Sequence, residues 1–290
     1  MSVESVMAAL EPDIGPADAK SVRAVGGGSI NASYAFAARD GARYFVKLNT
    51  ADRLDMFTAE RDGLLELAAA KSVRVPEPIA TGTVGAQSYL LMESLELGGH
   101  SRAAAAELGR RLALQHRVVR DEFGWHRDNT IGSTPQLNDR SPDWIEFLRD
   151  RRLGYQLQLA ARNGVDSRVA ERGEELLERL PEFFADYAPV ASVLHGDLWG
   201  GNWGITADGE PVIFDPAVYF GDREADIAMT MLFGGFGAEF LEAYQSEWPL
   251  DPGFRRRVDL YNLYHVLNHY NLFGGGYQQQ AAAMLDGLLA

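Results

Sequence analysis

Between positions 192 and 216 the chain reads SVLHGDLWGGNWGITADGEPVIFDP. Two short apolar, β-branched runs, SVL and PVIF, read as strands. They enclose a glycine-rich loop carrying His195, Asp197 and Asn202, and the second run ends on Asp215. A plain turn does not need this set of polar side chains. The pattern calls for a scaffold that presents an acid, an amide and a second acid at one place on loops fixed by strands.

The flanking segments are of two kinds. Upstream, SYAFAAR and ARYFVKLN read as strands around Asp40-Gly41, a type I′ hairpin signal. DMFTAERDGLLELAAAK repeats apolar residues at helical spacing. VRVPEPIATGTV, with its prolines, reads as loop and edge strand, and SYLLMES as a buried strand. The glycine pair in LELGGHS suits a linker. Beyond it the chain is periodic at helical spacing through SRAAAAELGRRLALQHRVV, PDWIEFLRDRRLGYQLQLAAR, VDSRVAERGEELLERLPEFFADY, READIAMTMLFGGF and GFRRRVDLYNLYHVLNHYNLF. The expected fold is α+β and bilobal: residues 1–95 form a small β-rich lobe with one helix, and residues 96–290 a larger, mostly helical lobe.

Composition narrows the chemistry. The chain has no cysteine, which removes disulfides, thiolate metal sites and cysteine nucleophiles and fits a reducing cytoplasm. Its start, MSVESVMAALEPDIG, has neither the basic opening nor the apolar run of a signal peptide. No apolar stretch approaches the roughly 20 residues of a membrane span. A net charge of −14 argues against nucleic acid as a partner and favours a cationic substrate.

The interval from Asp197 to Asn202, with Asp215 after the next strand, matches that of a kinase catalytic loop and its metal-binding acid. Phosphoryl transfer needs a carboxylate to take the proton of the attacking hydroxyl, oxygen ligands for Mg²⁺ and positive charge on the phosphates. Asp197 is the candidate base, and Asn202 and Asp215 offer the hard oxygens. The small lobe supplies the rest. AVGGGSINASYAF places Gly26, Gly27, Gly28 and Ser29 in a loop whose amides can close over the phosphates of ATP. Lys47 lies on a following strand and Glu60 on the helix after it, able to pair. Met92, Glu93 and Leu95 form a hinge whose backbone can bond an adenine edge. His195 is expected to hold the catalytic loop through hydrogen bonds, and Asp226 to bond back to that loop. Two features argue against a peptide acceptor: Trp199 stands where Ser/Thr protein kinases usually carry lysine, and no A-P-E segment follows Asp215.

HGDLWGGN, FGWHRDNTIGSTPQLND, DREADIAM and LYHVLNHYNLFGGGY together resemble the fructosamine-3-kinase, or ketosamine-3-kinase, family, itself related to the aminoglycoside phosphotransferases. The resemblance runs from about Gly26 to Tyr277. It implies a protein-kinase-like fold, ATP with Mg²⁺, and phosphorylation of the 3-hydroxyl of a ketosamine, either a small molecule or a glycated protein side chain. The unstable 3-phosphate would then let the adduct fall apart and free the amine. By motif match the resemblance gives Asp197 as base, Asn202 and Asp215 as metal ligands and Lys47 as the phosphate clamp. Some members carry cysteine in the glycine-rich loop where this chain has Ser29, which puts redox control through that loop in doubt. An aminoglycoside-type or other amino-sugar phosphotransferase is the alternative.

His126, Asp128 and Asn129 sit in a polar loop that can line a sugar pocket. Trp125 and Trp199 can stack on a sugar ring or pack in the core. His265, Asn268 and His269 share one helical face, and the resemblance places that face beside the substrate; no third ligand makes it a zinc site. Asp128, Asp139, Asp143, Asp222 and Glu224 are expected to draw in the substrate's amine.

Overall fold

The computed structural model describes residues 3–26, 30–99 and 101–290. In the small lobe, α1 (Val3–Ile14) precedes a five-stranded antiparallel sheet of β1 (Ala17–Val25), β2 (Ala32–Ala38), β3 (Arg43–Thr50), β4 (Pro78–Val84) and β5 (Gln87–Glu93). Between β3 and β4 lies α2 (Leu54–Ala69). The spatial order β1-β2-β3-β5-β4 puts β3 at the centre and the proline-bearing β4 at an edge, where no further strand needs the missing N–H. Strand alternation sends Val46 and Leu48 to one face and Phe45 and Lys47 to the other. Val46 and Leu48 pack, with Phe36 and Leu91, against Val3, Val6, Met7, Leu10 and Ile14 of α1. Phe45 and Lys47 face the main cavity.

Two expectations are corrected here. The small lobe has two helices rather than one: α1 covers the apolar sheet face, which could not stay exposed to water. The hairpin between β2 and β3 forms, but its turn is not type I′. Gly41 has a φ of +95°, whereas Asp40 keeps negative φ and accepts the Ala42 N–H on Oδ1 at 2.9 Å. A type I′ turn needs both central residues left-handed; here the Ala38 N–H instead closes a three-residue loop onto the Ala42 carbonyl at 2.8 Å.

The larger lobe runs α3 (Arg102–His116), β6 (Val119–Arg120), β7 (Asn129–Ile131), β8 (Thr134–Gln136), α4 (Trp144–Phe147) and α5 (Gly154–Arg162), the last two joined by a π-helical stretch over Leu148–Leu153. It continues with α6 (Ser167–Arg179), β9 (Ala191–Leu194), β10 (Trp203–Ile205), β11 (Pro211–Ile213), β12 (Tyr219–Gly221), α7 (Glu224–Leu232), α8 (Ala238–Glu247), α9 (Phe254–Phe273) and α10 (Tyr277–Leu288). The short strands pair as β12-β9-β6, β10-β11 and β7-β8. From Leu260 to Asn268 every residue of α9 is buried, as befits a helix at the centre of a lobe. The Ser101 hydroxyl caps α3 by accepting the Ala104 N–H at 3.1 Å. The linker is pinned to the larger lobe where the Gly98 N–H donates to the Ile205 carbonyl at 2.6 Å. No helix among the described residues is long and apolar enough to cross a membrane.

Candidate active site

The loop after β9 is held from behind. Asp226 of α7 accepts the N–H of His195 at 2.7 Å and of Gly196 at 2.9 Å. The His116 ring lies 3.2 Å from the same carboxylate and 2.8 Å from the Tyr244 hydroxyl. Burial opposes the charge on Asp226, but His116 and the loop amides outweigh it and hold the carboxyl below its usual range. Gly196 has a φ of +82°, and a Cβ there would lie 2.0 Å from the Ala217 carbonyl oxygen, so no side chain fits. His195 is fully buried. Its Nε2 lies 2.9 Å from the Phe214 carbonyl, which can only accept, and its Nδ1 accepts the Asp197 N–H at 3.3 Å. Burial pushes the pKa of this ring down. His195 thus ties the loop to the strand end next to Asp215.

Asp197 is half-buried and faces the cavity. Burial first, then the nearby Asp215 charge, pushes its carboxyl up to about 7, against a restraining bond from Asn202. The Asn202 amide nitrogen donates to the Asp197 carbonyl at 2.8 Å and to its carboxylate at 3.1 Å. That leaves the Asn202 amide oxygen without a partner among the described residues. Asp215 has a left-handed backbone, φ 59°, uncommon for a side-chain-bearing residue.

Lys47 reaches across from β3. Its ammonium donates to Glu60 at 2.5 Å and to Asp215 at 2.6 Å, joining both lobes. Burial works against its charge, but the two carboxylates prevail and keep its pKa above the usual lysine value. Glu60 is pushed upward by its own burial. The helix carrying Glu60 is itself moored to the larger lobe. Arg127 pairs with Asp62 at 2.7 Å and Asp55 at 2.5 Å, and the Trp125 indole N–H donates to Glu66 at 3.2 Å. Gly63 lets α2 approach Val218 closely: a Cβ there would be 3.2 Å from its Cγ2.

Lys47, Glu60, Asp197, Asn202 and Asp215 line one cavity of about 620 Å³ between the lobes. Its small-lobe end is apolar, with Val25, Ala35, Phe45 and Met92, and is bordered by Gly26, Glu93 and Leu95. Gly27, Gly28 and Ser29 lie outside the described residues. The Glu93 N–H is spent on the Glu77 carbonyl at 3.0 Å, whereas the Leu95 N–H has no partner among the described residues.

At the opposite end the sequence-derived set divides. Asn129, Trp199, Asn268 and His269 line the cavity. His126 is exposed outside it, its ring edge-on to Trp125. Asp128 also lies outside, fixing its own loop by accepting the Asn138 N–H at 2.7 Å. His265 is buried in the core against Tyr264, away from the cavity, and burial pushes its pKa down to about 3. Trp125 packs in the core as well. Asn129 is consumed structurally: it donates to the Val218 carbonyl at 2.8 Å and accepts from Gln136 and Asn138.

Sequence reasoning missed this last network. Gln136 also donates to the Ala217 carbonyl at 3.0 Å and accepts from the Tyr264 hydroxyl at 2.7 Å. Arg152, buried in the π-helical stretch, donates to the Leu137 carbonyl at 2.6 Å and to Asn138 at 2.7 Å, with the Tyr219 ring 4.0 Å from its guanidinium. The only available signal was a dense run of amides in NTIGSTPQLND.

Comparison with known proteins follows the same lines. A family model described as fructosamine kinase matches residues 2–290. A relative from Synechocystis sp., named a probable ketoamine kinase, is 48% identical over 268 residues, 91% of this chain and 88% of that protein. A chloroplastic protein-ribulosamine 3-kinase of Arabidopsis thaliana is 43% identical over 271 residues, 92% of this chain and 82% of its own length. A crystal structure from Thermobifida fusca YX-ER1, assigned as a fructosamine-3-kinase, matches with a TM-score of 0.86 at 31% identity and covers 99% of both chains. An aminoglycoside phosphotransferase solved with ADP and hygromycin B shares the fold, with a TM-score of 0.68 at 15% identity over 98% of each chain. With the family model spanning almost the whole sequence, this chain belongs to the fructosamine kinase family.

Proposed function

We propose that this protein transfers the γ-phosphoryl group of ATP to the 3-hydroxyl of a ketosamine, a ribulosamine or fructosamine, and so starts removal of the sugar from the amine. One observation carries the reading: Asp197 and its partner Asn202 face the Lys47–Asp215 pair within one cavity between the lobes. Asp197 takes the proton of the 3-hydroxyl while its oxygen bonds to the γ-phosphorus and the bond to the β-phosphate oxygen breaks, leaving ADP. Lys47, steadied by Glu60, neutralises phosphate charge. Gly26 and the glycine-rich loop cover the phosphates. The Glu93 carbonyl and the unpartnered Leu95 N–H receive the adenine, beside Met92.

The donor set fits Mg²⁺. Asn202 and Asp215 offer hard oxygens, and among the described residues no cluster of three or more His, Asp or Glu forms a dedicated metal cage. Mg²⁺ commonly takes one or two protein ligands and completes its shell with water and phosphate. When bound, the ion would neutralise the charge on the phosphates, held by Asn202 and Asp215. Trp199, Asn268 and His269 border the acceptor; His126, Asp128 and His265 are set aside by their positions outside the cavity. A cytoplasmic place of action fits a cysteine-free chain.

The test is ATP consumption with a lysine-derived fructosamine, the matching ribulosamine, free fructose and an aminoglycoside. We expect the two ketosamines to be preferred. Equal efficiency on free fructose would make this a general sugar kinase, and preference for the aminoglycoside would transfer the activity to that class.

A further inference from the structure

Trp199, His269 and Phe273 line the acceptor end of the cavity, Phe233 and Tyr277 pack beside them, and the phosphoryl chemistry leaves these rings unused. Trp199 meets Phe233 edge-on at 6.3 Å between centroids. Phe233 meets His269 at 5.1 Å, and His269 lies 5.8 Å from Phe273 and 5.0 Å from Tyr277. The rings come from the catalytic loop, the end of α7, α9 and α10. Trp199, Phe233 and Phe273 are 36%, 41% and 54% exposed, and such a contiguous apolar surface beside a cleft points to a ligand.

His269 sits at the centre of the cluster. Its Nδ1 is 2.7 Å from the His265 carbonyl. A carbonyl only accepts, so Nδ1 carries the proton and Nε2 of the neutral ring holds a lone pair. Burial lowers the pKa of this ring, so it stays neutral. Nε2 has no partner among the described residues. The acids lining the cavity, Glu60, Glu93, Asp197 and Asp215, belong to the lysine clamp, the hinge and the catalytic loop. None stands among the rings. In a ketosamine the amine is attached to C1, two carbons from the C3 that bears the reacting hydroxyl. Trp199, His269 and Phe273 line the same cavity as Asp197, so a substrate with that hydroxyl at Asp197 has these rings within its reach for the amine.

We infer that this ring cluster is the ammonium subsite of the enzyme. His269 Nε2 accepts an N–H of the substrate's secondary ammonium, and Trp199, Phe233 and Phe273 provide π faces for the charge and the alkyl stem leading out of the cavity. The inference rests on the ketosamine reading. A sugar alone would need hydrogen-bonding groups here, and a polycationic aminoglycoside would need carboxylates.

The experiment compares two substrates: a fructosamine with a secondary amine on C1, and its ether analogue with oxygen in place of that nitrogen. The quantity read is the ratio of their kcat/KM values. Wild type should favour the amine. His269→Phe keeps a ring and removes the acceptor; it should lower the ratio about tenfold, as for loss of one hydrogen bond to a charged group. Phe233→Leu, at an exposed position, should lower it about threefold, chiefly through KM. It keeps the test open if His269→Phe does not fold. A ratio unchanged in both variants, or in Phe233→Leu alone when the other is unfolded, overturns the subsite and leaves the rings as packing. A wild type that phosphorylates amine and ether equally also overturns it while leaving the ketose kinase intact. A wild type inactive on both and active on an aminoglycoside refutes the underlying reading instead.

Discussion

On one side of the cavity, Lys47 is buried to 5% exposure and held between two carboxylates at 2.5 and 2.6 Å. On the other, Asn129 and Asn268 spend their amides on the Val218 and Ile131 carbonyls, His269 donates to a carbonyl within its own helix, and Trp199, Ile131, Leu272 and Phe273 supply apolar surface. The half proposed above for the nucleotide holds fixed charges in a low dielectric, where each must have a partner at a set place. The half proposed for the acceptor holds neutral groups whose positions are set by packing.

The largest loss separates the two halves at their meeting point. Asp197→Asn keeps the shape and the bond from Asn202, but cannot take the hydroxyl proton. Turnover should fall by about 10²–10⁴, with ATP affinity measured by equilibrium titration retained. Near wild-type turnover would remove Asp197 from the reaction.

Next comes the charged clamp. Lys47→Met removes the cation shared by Glu60 and Asp215 and should lower kcat/KM for ATP by about 10²–10³. Glu60→Gln leaves Lys47 its second partner and should cost about tenfold. If Glu60→Gln costs as much as Lys47→Met in the same initial-rate assay, the lysine depends on α2 rather than on Asp215, and the cross-lobe ion pair is secondary.

Legibility follows the same division. That Asp197, Asn202, Asp215, Lys47 and Glu60 meet in one cavity was legible in the sequence because charge chemistry fixes residue type and, through short strands, spacing. His195 was legible as a loop anchor for the same reason. His126, Asp128 and His265 misled because adjacency in the chain was taken for adjacency in space. His126 and Asp128 are exposed outside the cavity, and on α9 His265 is buried in the core while His269, one turn on, reaches the cavity. Phe233, Phe273 and Tyr277 read as ordinary apolar positions, since nothing local shows that the end of α7 converges with the junction of α9 and α10. Helix α1 escaped for a milder reason: its apolar spacing is helical, but Pro12 interrupts it and the need to cover a sheet face is a property of the fold.

The pH profile tests whether charges create the base. Burial and the Asp215 charge push the Asp197 carboxyl up to about 7. The base acts deprotonated, so kcat/KM should fall about tenfold per unit below pH 7 and level off above it. Bound Mg²⁺-ATP would offset the Asp215 charge, removing one cause of the rise. The profile of kcat, which reports the complex, should therefore break at lower pH than that of kcat/KM, which reports the free enzyme. Identical breaks would mean that Asp215 does not act on Asp197.

The smallest effect concerns the acids expected to attract the amine. Asp222 accepts the Tyr187 hydroxyl at 2.9 Å and also that of Tyr261, and Glu224 is paired with Arg257 at 2.7 Å, all in the core. Asp128 and Asp143 accept backbone N–H groups, Asp139 lies 3.3 Å from Arg151, and none of the five lines the cavity. They are satisfied where they stand. What remains is the diffuse field of a chain at −14, which salt screens as the Debye length shrinks from about 10 Å at 0.1 M to about 3 Å at 1 M. A contact with an aromatic face and a neutral imidazole is short-ranged and screened far less. Over that range kcat/KM for a cationic ketosamine should therefore drop by no more than about threefold, and its advantage over the uncharged ether should largely survive. A drop of tenfold or more in initial rates at low substrate would show that carboxylates reach the amine after all, and the contrast between a charged half and a neutral half would fail at its weakest point.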